Sequence, residues 1–171
     1  NNTVEVYLDN LLPNPSFENW VNDVPLSWRF LNTKYFNIFK SDDAIDGNWS
    51  LGISAKTTLE KQWSWIFSEP IKVEEGKKYL VVITLKSVNT YGTHVKIQGY
   101  NIISHKWRDL AFIARKVQDT TRWNTFYKVF RTYNISHIRL VINSGWLRDT
   151  SRGEALTLVD RVGVYLSLIH I

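Results

Sequence analysis

Lys78-Tyr79-Leu80-Val81-Val82-Ile83-Thr84-Leu85-Lys86-Ser87-Val88 is the longest strand signal in the chain. Tyr79, Val81, Ile83 and Leu85 share one face, and Leu80, Val82, Thr84 and Lys86 share the other. That period of two belongs to an extended strand. Glu75-Gly76-Lys77 turns into it, and the chain turns again between Asn89 and Gly92. Working outward, the same pattern recurs. Downstream, Val95 to Tyr100 alternates, as do Trp123 to Thr132 and Ile138 to Asn143, Glu154 to Leu166 gives the last strand or pair of strands, and Trp107 to Ala114 has no clear period. Upstream, Ile71 and Val73 start an extended piece, Trp63, Trp65 and Phe67 put three rings on one face, and Trp49 to Ala55 alternates. Leu26 to Leu31 and Tyr35 to Lys40 read as two aromatic-rich strands. No helical stripe exceeds a turn or two. About ten short strands separated by turn signals roughly every 8–12 residues predict an all-β, two-sheet antiparallel sandwich or jelly roll.

Near the amino terminus, Leu11-Leu12-Pro13-Asn14-Pro15-Ser16-Phe17-Glu18-Asn19-Trp20 breaks this pattern. Prolines on both sides of Asn14 bar a helix and impose an extended or turn conformation. Phe17 reads as core and the stretch as the opening strand of the sandwich. A carboxylate next to it, Glu18, requires a cation, a metal or several N–H groups as partner.

The 171 residues fit one domain with a substantial core. There is no Cys, which excludes a disulfide framework and a thiolate metal site. Met is also missing, even at position 1, and a removed leader peptide is the expected reason, which points to a secreted or cell-surface protein. No apolar run approaches the ~18 residues of a membrane span. The net charge of +5 is uneven: residues 1–60 sum to −4 and residues 61–171 to +9. The bases are scattered and match no nucleic-acid module, so nucleic acid is not an expected partner.

Catalytic patterns are missing. His94, His105, His137 and His170 are isolated, and no nucleophile elbow, phosphate loop or dinucleotide-binding glycine pattern occurs. The chain is therefore expected not to be an enzyme. Its aromatic content of 14%, with eight Trp, is the stronger signal. Sugar rings stack their C–H faces on flat aromatic surfaces and need planar polar groups at their edges. Candidate ligand-binding residues are Trp63, Trp65, Lys86, Gln98, Tyr100, Arg139, Asn143 and Trp146. Core packing is the competing account for Trp49, Trp65 and Trp123, whereas Trp146, beside Gly145 in a polar loop, is expected to be exposed. Glu18, Asp46 and Asp160 are candidate ligands of a hard cation such as Ca²⁺, which takes six to eight oxygens. A salt bridge to Arg161 is the alternative for Asp160. Asn1, Asn48 and Asn134 begin glycosylation triplets.

Five segments occur in a familiar order. They are Asn10 to Glu18, Asp46 to Ile53, Glu75 to Tyr79, Trp123 to Phe130 and Leu158 to Val164. Together they resemble the jelly-roll carbohydrate-binding modules of the family 4/9, 16 and 22 type. The resemblance implies a structural calcium between the opening stretch, the Asp-Gly loop and the last strand, at the positions of Glu18, Asp46 and Asp160. It also implies a concave glycan-binding face, which here would comprise Val82, Thr84, Lys86, Gln98, Tyr100, Arg139, Val141 and Asn143. Val82 and Val141 depart from that pattern, and so does Asp160-Arg161, where the family often has two acids. The expected organisation is a jelly-roll domain over 10–171, preceded by an extra strand in residues 1–9. That strand pairs within its own sheet or adds to a neighbouring molecule. The expected function is a non-catalytic, extracellular glycan-binding module. The alternative is a structural subunit of a cell-surface filament, assembled by strand addition.

Overall fold

The computed structural model of the chain describes residues 7, 9–31, 33–55 and 61–168. Thirteen strands follow one another: β1 (Trp20–Val21), β2 (Val24–Pro25), β3 (Trp28–Leu31), β4 (Phe36–Ser41), β5 (Ser50–Ala55), β6 (Trp65–Ser68), β7 (Ile71–Lys72), β8 (Lys78–Val88), β9 (Thr93–Asn101), β10 (Lys106–Val117), β11 (Asn124–Arg131), β12 (Ile135–Ser144) and β13 (Ala155–Leu166). A single 3₁₀ turn at Thr150–Arg152 is the only helical element among the described residues, so no helix there is long and apolar enough to cross a membrane.

β1 and β2 make a small hairpin. The other strands form two antiparallel sheets. One runs β10-β9-β12-β6-β3, with β7 also on β12; the other runs β11-β8-β13-β5-β4. The core lies between them. Tyr79, Val81, Ile83 and Leu85 of β8 meet Val95 and Ile97 of β9 and Ile138, Leu140 and Ile142 of β12, all essentially inaccessible to solvent. Each such aliphatic side chain stabilises the fold by about 1.5–3 kcal/mol relative to exposure. The predicted jelly-roll sandwich is therefore the observed architecture, and β8 matches its expected span residue for residue.

The opening stretch differs from expectation. Residues 11–19 form bends and turns rather than a strand. Asn14 (φ 48°) and Phe17 (φ 54°) both adopt the left-handed conformation. The Asn14 side chain closes the turn, accepting from the Asn19 N–H and donating to the Asn19 and Leu26 carbonyls. Phe17 is nonetheless fully buried, 4.9 Å from the ring of Trp28. Flanking it, the chain runs beside the second half of β13. The N–H groups of Tyr7 and Leu11 donate to Leu166 and Val164, and Val162 donates to Pro15. Tyr7 thus pairs within its own chain; of the extra strand expected in residues 1–9, residues 1–6 and 8 lie outside the described residues.

β10 runs for twelve residues where sequence periodicity was weak. Register shifts fall between Asp109 and Ala111, Phe112 and Ala114, and Ala114 and Val117. Each bulge moves the alternation by one residue. Trp107 and Phe112 consequently face outward although their spacing is odd, while Ile113, Ala114 and Val117 face the core.

Candidate functional site

The outer face of the β10-β9-β12-β6-β3 sheet carries the rings. Backbone register lines them up in rows. Arg29, Phe67, Val141, Lys96 and Phe112 occupy one row across the five strands. Arg139, Gln98 and Asp109 form the next, and His137, Tyr100 and Trp107 the one after. Trp65 stacks on Phe67 at 6.1 Å between centroids, and Trp107 meets Tyr100 edge-on at 5.6 Å. Val141 is fully buried yet belongs to this face: it floors the row beneath the rings, apart from the interior cluster.

At one end, Trp63, Trp65, His94, Lys96, Phe112 and Asn143 line a hollow of about 220 Å³. Trp146 packs behind its Trp63, half-buried against that ring at 5.2 Å and against Tyr91 at 4.6 Å. Trp146 is therefore packed on other rings rather than freely exposed in a loop. Asn89 fixes that loop: it is fully buried, accepts from the Asp149 N–H and donates to the Asp149 and Gly153 carbonyls. Asn143 is also largely buried, its amide donating to the Ser64 carbonyl at 2.8 Å. The His94 Nδ1 accepts from the Lys116 N–H. Burial, then the nearby charges of Arg115, Lys116 and Lys96, hold the His94 pKa below its ordinary value, so the ring is neutral.

The polar groups form one chain across the face. Lys96 Nζ donates to Asp109 at 3.2 Å, Gln98 donates to Asp109 at 3.0 Å, and Arg139 Nε donates to Gln98 Oε1 at 2.9 Å. Burial pushes the Asp109 carboxyl up, but hydrogen bonds from Gln98 and Lys96 and the Lys96 charge bring it below the usual range. The Arg139 guanidinium lies 4.2 Å from the Trp107 ring centre and 4.5 Å from that of Phe67. Lys96 sits over Trp65 at 5.2 Å.

Of the predicted ligand-binding residues, the structure brings Trp63, Trp65, Gln98, Tyr100, Arg139, Asn143 and Trp146 onto this one face. Lys86 is a correction. Together with Val82 and Thr84 it belongs to β8, in the other sheet, because alternation assigns a side to each strand but not a sheet. Lys86 pairs there with Asp43 at 2.5 Å and lies over Trp123. Trp49 and Trp123 are half-buried surface rings, each beneath a lysine, and Trp28 is the tryptophan in the core. Phe67 and Lys96 join the face as the alternation of Trp63 to Phe67 and of Val95 to Tyr100 implies, and Trp107 joins it as one of the rings behind the aromatic excess. Asp109 and Phe112 join it unforeseen, hidden by the bulges of β10. A larger hollow, about 370 Å³, lies on the opposite sheet between Lys86, Asp119, Arg152 and Leu156. Its cations are already matched, Lys86 with Asp43 and Arg152 with Asp119. No stacked rings line it, so the aromatic face is the better candidate.

The carboxylates expected to hold calcium have other partners. Glu18 accepts the N–H groups of Asn48 at 2.7 Å and Trp49 at 2.8 Å. Asp160, fully buried, accepts from Ile45 and Asp46 at 3.0 Å and from Arg161 at 2.8 Å. Asp46 accepts from the Ser16 hydroxyl at 2.6 Å. Arg161 adds a cation to this corner, its guanidinium donating to the Ile45 carbonyl rather than to Asp160. Among the described residues no three His, Cys, Asp or Glu side chains group so as to hold a metal ion. The donor set therefore does not fit one cation shared by Glu18, Asp46 and Asp160. Burial, opposed by the three N–H groups and reinforced by the Asp46 charge, leaves the Asp160 carboxyl above its ordinary pKa. Asn48 and Asn134 are exposed, although Ser50 of the first triplet is buried and donates to the Asp43 carbonyl; Asn1 lies outside the described residues.

No protein-family profile matches the chain, and no curated relative matches it. Solved structures do. Across 99% of its length the chain superposes on all of the CBM22-1 xylan-binding domain from Paenibacillus barcinonensis Xyn10C (TM-score 0.64, 16% identity, 100% of that domain). It also matches the CBM22-1–GH10 modules of Clostridium thermocellum endo-1,4-β-D-xylanase 10B, solved with xylohexaose (TM-score 0.64, 10% identity, 98% of this chain). A third match is the enzymatically active domain of bacteriophage CBA120 tailspike protein 4 (TM-score 0.63, 15% identity, 92% of this chain). The chain spans only 30% of the xylanase fragment and 21% of the tailspike domain. What is shared is the fold: the jelly roll found in carbohydrate-binding modules.

Proposed function

We propose that the chain is a non-catalytic glycan-binding module, and that the outer face of the β10-β9-β12-β6-β3 sheet is its binding groove. One observation carries this reading. Trp63, Trp65, Phe67, Tyr100 and Trp107 line a single sheet face together with the connected edge groups of Lys96, Asp109, Gln98 and Arg139. Rings of this kind offer stacking platforms, and the polar chain offers donors and acceptors to hydroxyls. The xylan-binding domains that share the fold support the same reading. An extracellular setting belongs to the proposal, since polysaccharides are met there.

Affinity electrophoresis and calorimetry against a panel of soluble polysaccharides test it. Trp65→Ala is expected to weaken binding about 30-fold, from the ~2 kcal/mol of a truncated aromatic anchor. Trp123→Ala, on the other sheet, is expected to leave affinity unchanged. Binding to no polysaccharide, or equal losses in both variants, would remove the groove from this face.

A further inference from the structure

Among the described residues Arg139 is a ring-packed cation without a carboxylate partner, as are Lys40 over Trp49 and Arg115 over Phe112, but it alone of the three lies between two rings in the middle of the aromatic face. Lys96, Lys86, Arg148 and Arg152 each reach a carboxylate. Arg139 reaches none among the described residues. Its guanidinium is packed between the Phe67 and Trp107 rings. Only Nε is engaged, by Gln98, which leaves the Nη groups without a hydrogen bond to the described residues. Arg29 on β3 is near enough for its charge to press on Arg139 and likewise has no ion pair there. Burial first, then Arg29, draws the Arg139 pKa below its ordinary value, as expected of a cation short of a counter-charge.

A half-desolvated guanidinium is costly unless an anion completes it. Contact with the two rings and the Gln98 hydrogen bond hold the guanidinium in place, and a planar fork of this kind pairs with two oxygens at once. A neutral sugar hydroxyl uses only one such donor and leaves the charge uncompensated. Asp109, the acid in this network, is paired with Lys96, whose charge offsets its repulsion of an anion at the Nη groups.

We infer that the groove selects an acidic polysaccharide, with a sugar-borne carboxylate or sulfate seated on the Arg139 Nη groups beside Arg29 and the flanking sugar rings stacked on Trp65 and Trp107. The inference rests on the groove reading above and narrows its substrate class. A uronate and a sulfate ester share the required chemistry, which is an oxyanion with two coplanar acceptors.

The test compares polygalacturonate, alginate and hyaluronan with their carboxyl-reduced forms, and dextran sulfate with dextran, by calorimetry on the full chain at fixed ionic strength. Acidic polymers are expected to bind at least tenfold more tightly than their neutral counterparts. Preference for the uronates identifies a carboxylate, and preference for dextran sulfate a sulfate. Arg139→Gln is expected to abolish that ratio, with Arg139→Lys partly restoring it. Lys128→Gln changes the net charge equally from an exposed position on β11 and is expected to leave the ratio intact. Urea unfolding of each variant shows that the fold persists. Equal binding of acidic and neutral forms overturns the inference but leaves the groove standing, as would equal losses from Arg139→Gln and Lys128→Gln. Binding to no polymer of either kind sinks the groove reading itself.

Discussion

Asp160→Ala removes the acceptor for three backbone N–H groups in one step. The carboxyl lies fully buried on β13 and holds Ile45 and Asp46 of the β4–β5 loop as well as its own neighbour Arg161. A buried donor left without a partner costs about 1–3 kcal/mol. Ile45 and Asp46 sit in an exposed loop, so water reaches their amides in part. The net loss is therefore expected at roughly 3–5 kcal/mol, not the sum of three full penalties. With a urea slope of about 1–3 kcal/mol/M, the unfolding midpoint falls by one to several molar units, read from tryptophan fluorescence. Asp160→Asn keeps the volume and one acceptor, so its loss is expected to be smaller. The pH dependence has a definite sign. Because the folded pKa lies above the ordinary value of 3.8, the stabilising contribution of protonated Asp160 is full below that value and is lost as pH rises through the folded pKa. The wild-type advantage over Asp160→Asn should therefore grow as pH falls toward 4. A shift below ~1 kcal/mol in Asp160→Ala would refute the reasoning. So would a chelator that lowers the wild-type melting temperature by several degrees, because a ligand bound only to the folded state stabilises by mass action. The amide partners of Glu18 and Asp160 predict a melting curve unchanged by chelation.

Two further outcomes follow from the same geometry. Gly47 has a φ of 68°, and an added Cβ would fall on the Glu18 carboxylate, so Gly47→Ala should cost more than the ~1–2 kcal/mol of left-handed strain alone. In a Glu18→Ala background the steric part disappears; strictly additive losses in the double-mutant cycle would count against this contact. His94 has a folded pKa below 6.5, so its stabilising contribution is present above 6.5 and is lost as pH falls through the folded value, with the Lys116 N–H bond broken by protonation. Urea midpoints at pH 7.5, 6.5 and 5.5 should decline more steeply for wild type than for His94→Asn. Parallel profiles would show that the ring does not titrate in this way.

Much of the candidate site was legible from local pattern. Trp65, Gln98, Tyr100, Arg139 and Asn143 each sit on a strand whose alternation marks them as facing away from the core, Trp63 continues the alternation of Trp65 and Phe67 just before β6, and all of them share the observed face. The side on which Trp107, Asp109 and Phe112 fall was not legible, because the bulges in β10 shift the phase of alternation and only pairing with β9 restores it. Lys86 was misplaced for a different reason. Period two separates inside from outside within one strand, but two sheets have two outer faces, and β8 belongs to the one without the rings.

By itself the sequence determined the class of structure and its interior. Alternation along β8, β9 and β12, with turns between, leaves an antiparallel sandwich as the arrangement that buries Val81, Ile83, Ile97 and Leu140 together. It also singled out Glu18 and Asp160 as carboxylates in need of partners. Only the tertiary structure decided what those partners are, because N–H groups of residues 45, 46, 48 and 49 become donors only after the loop folds against β13 and the Pro13–Glu18 turn. It likewise decided which rings meet which cation. Arg139 and Phe67 are 72 positions apart in the chain, and strand pairing across the sheet brings the guanidinium over the ring. Contacts of that range depend on register and sheet order, which no local periodicity encodes.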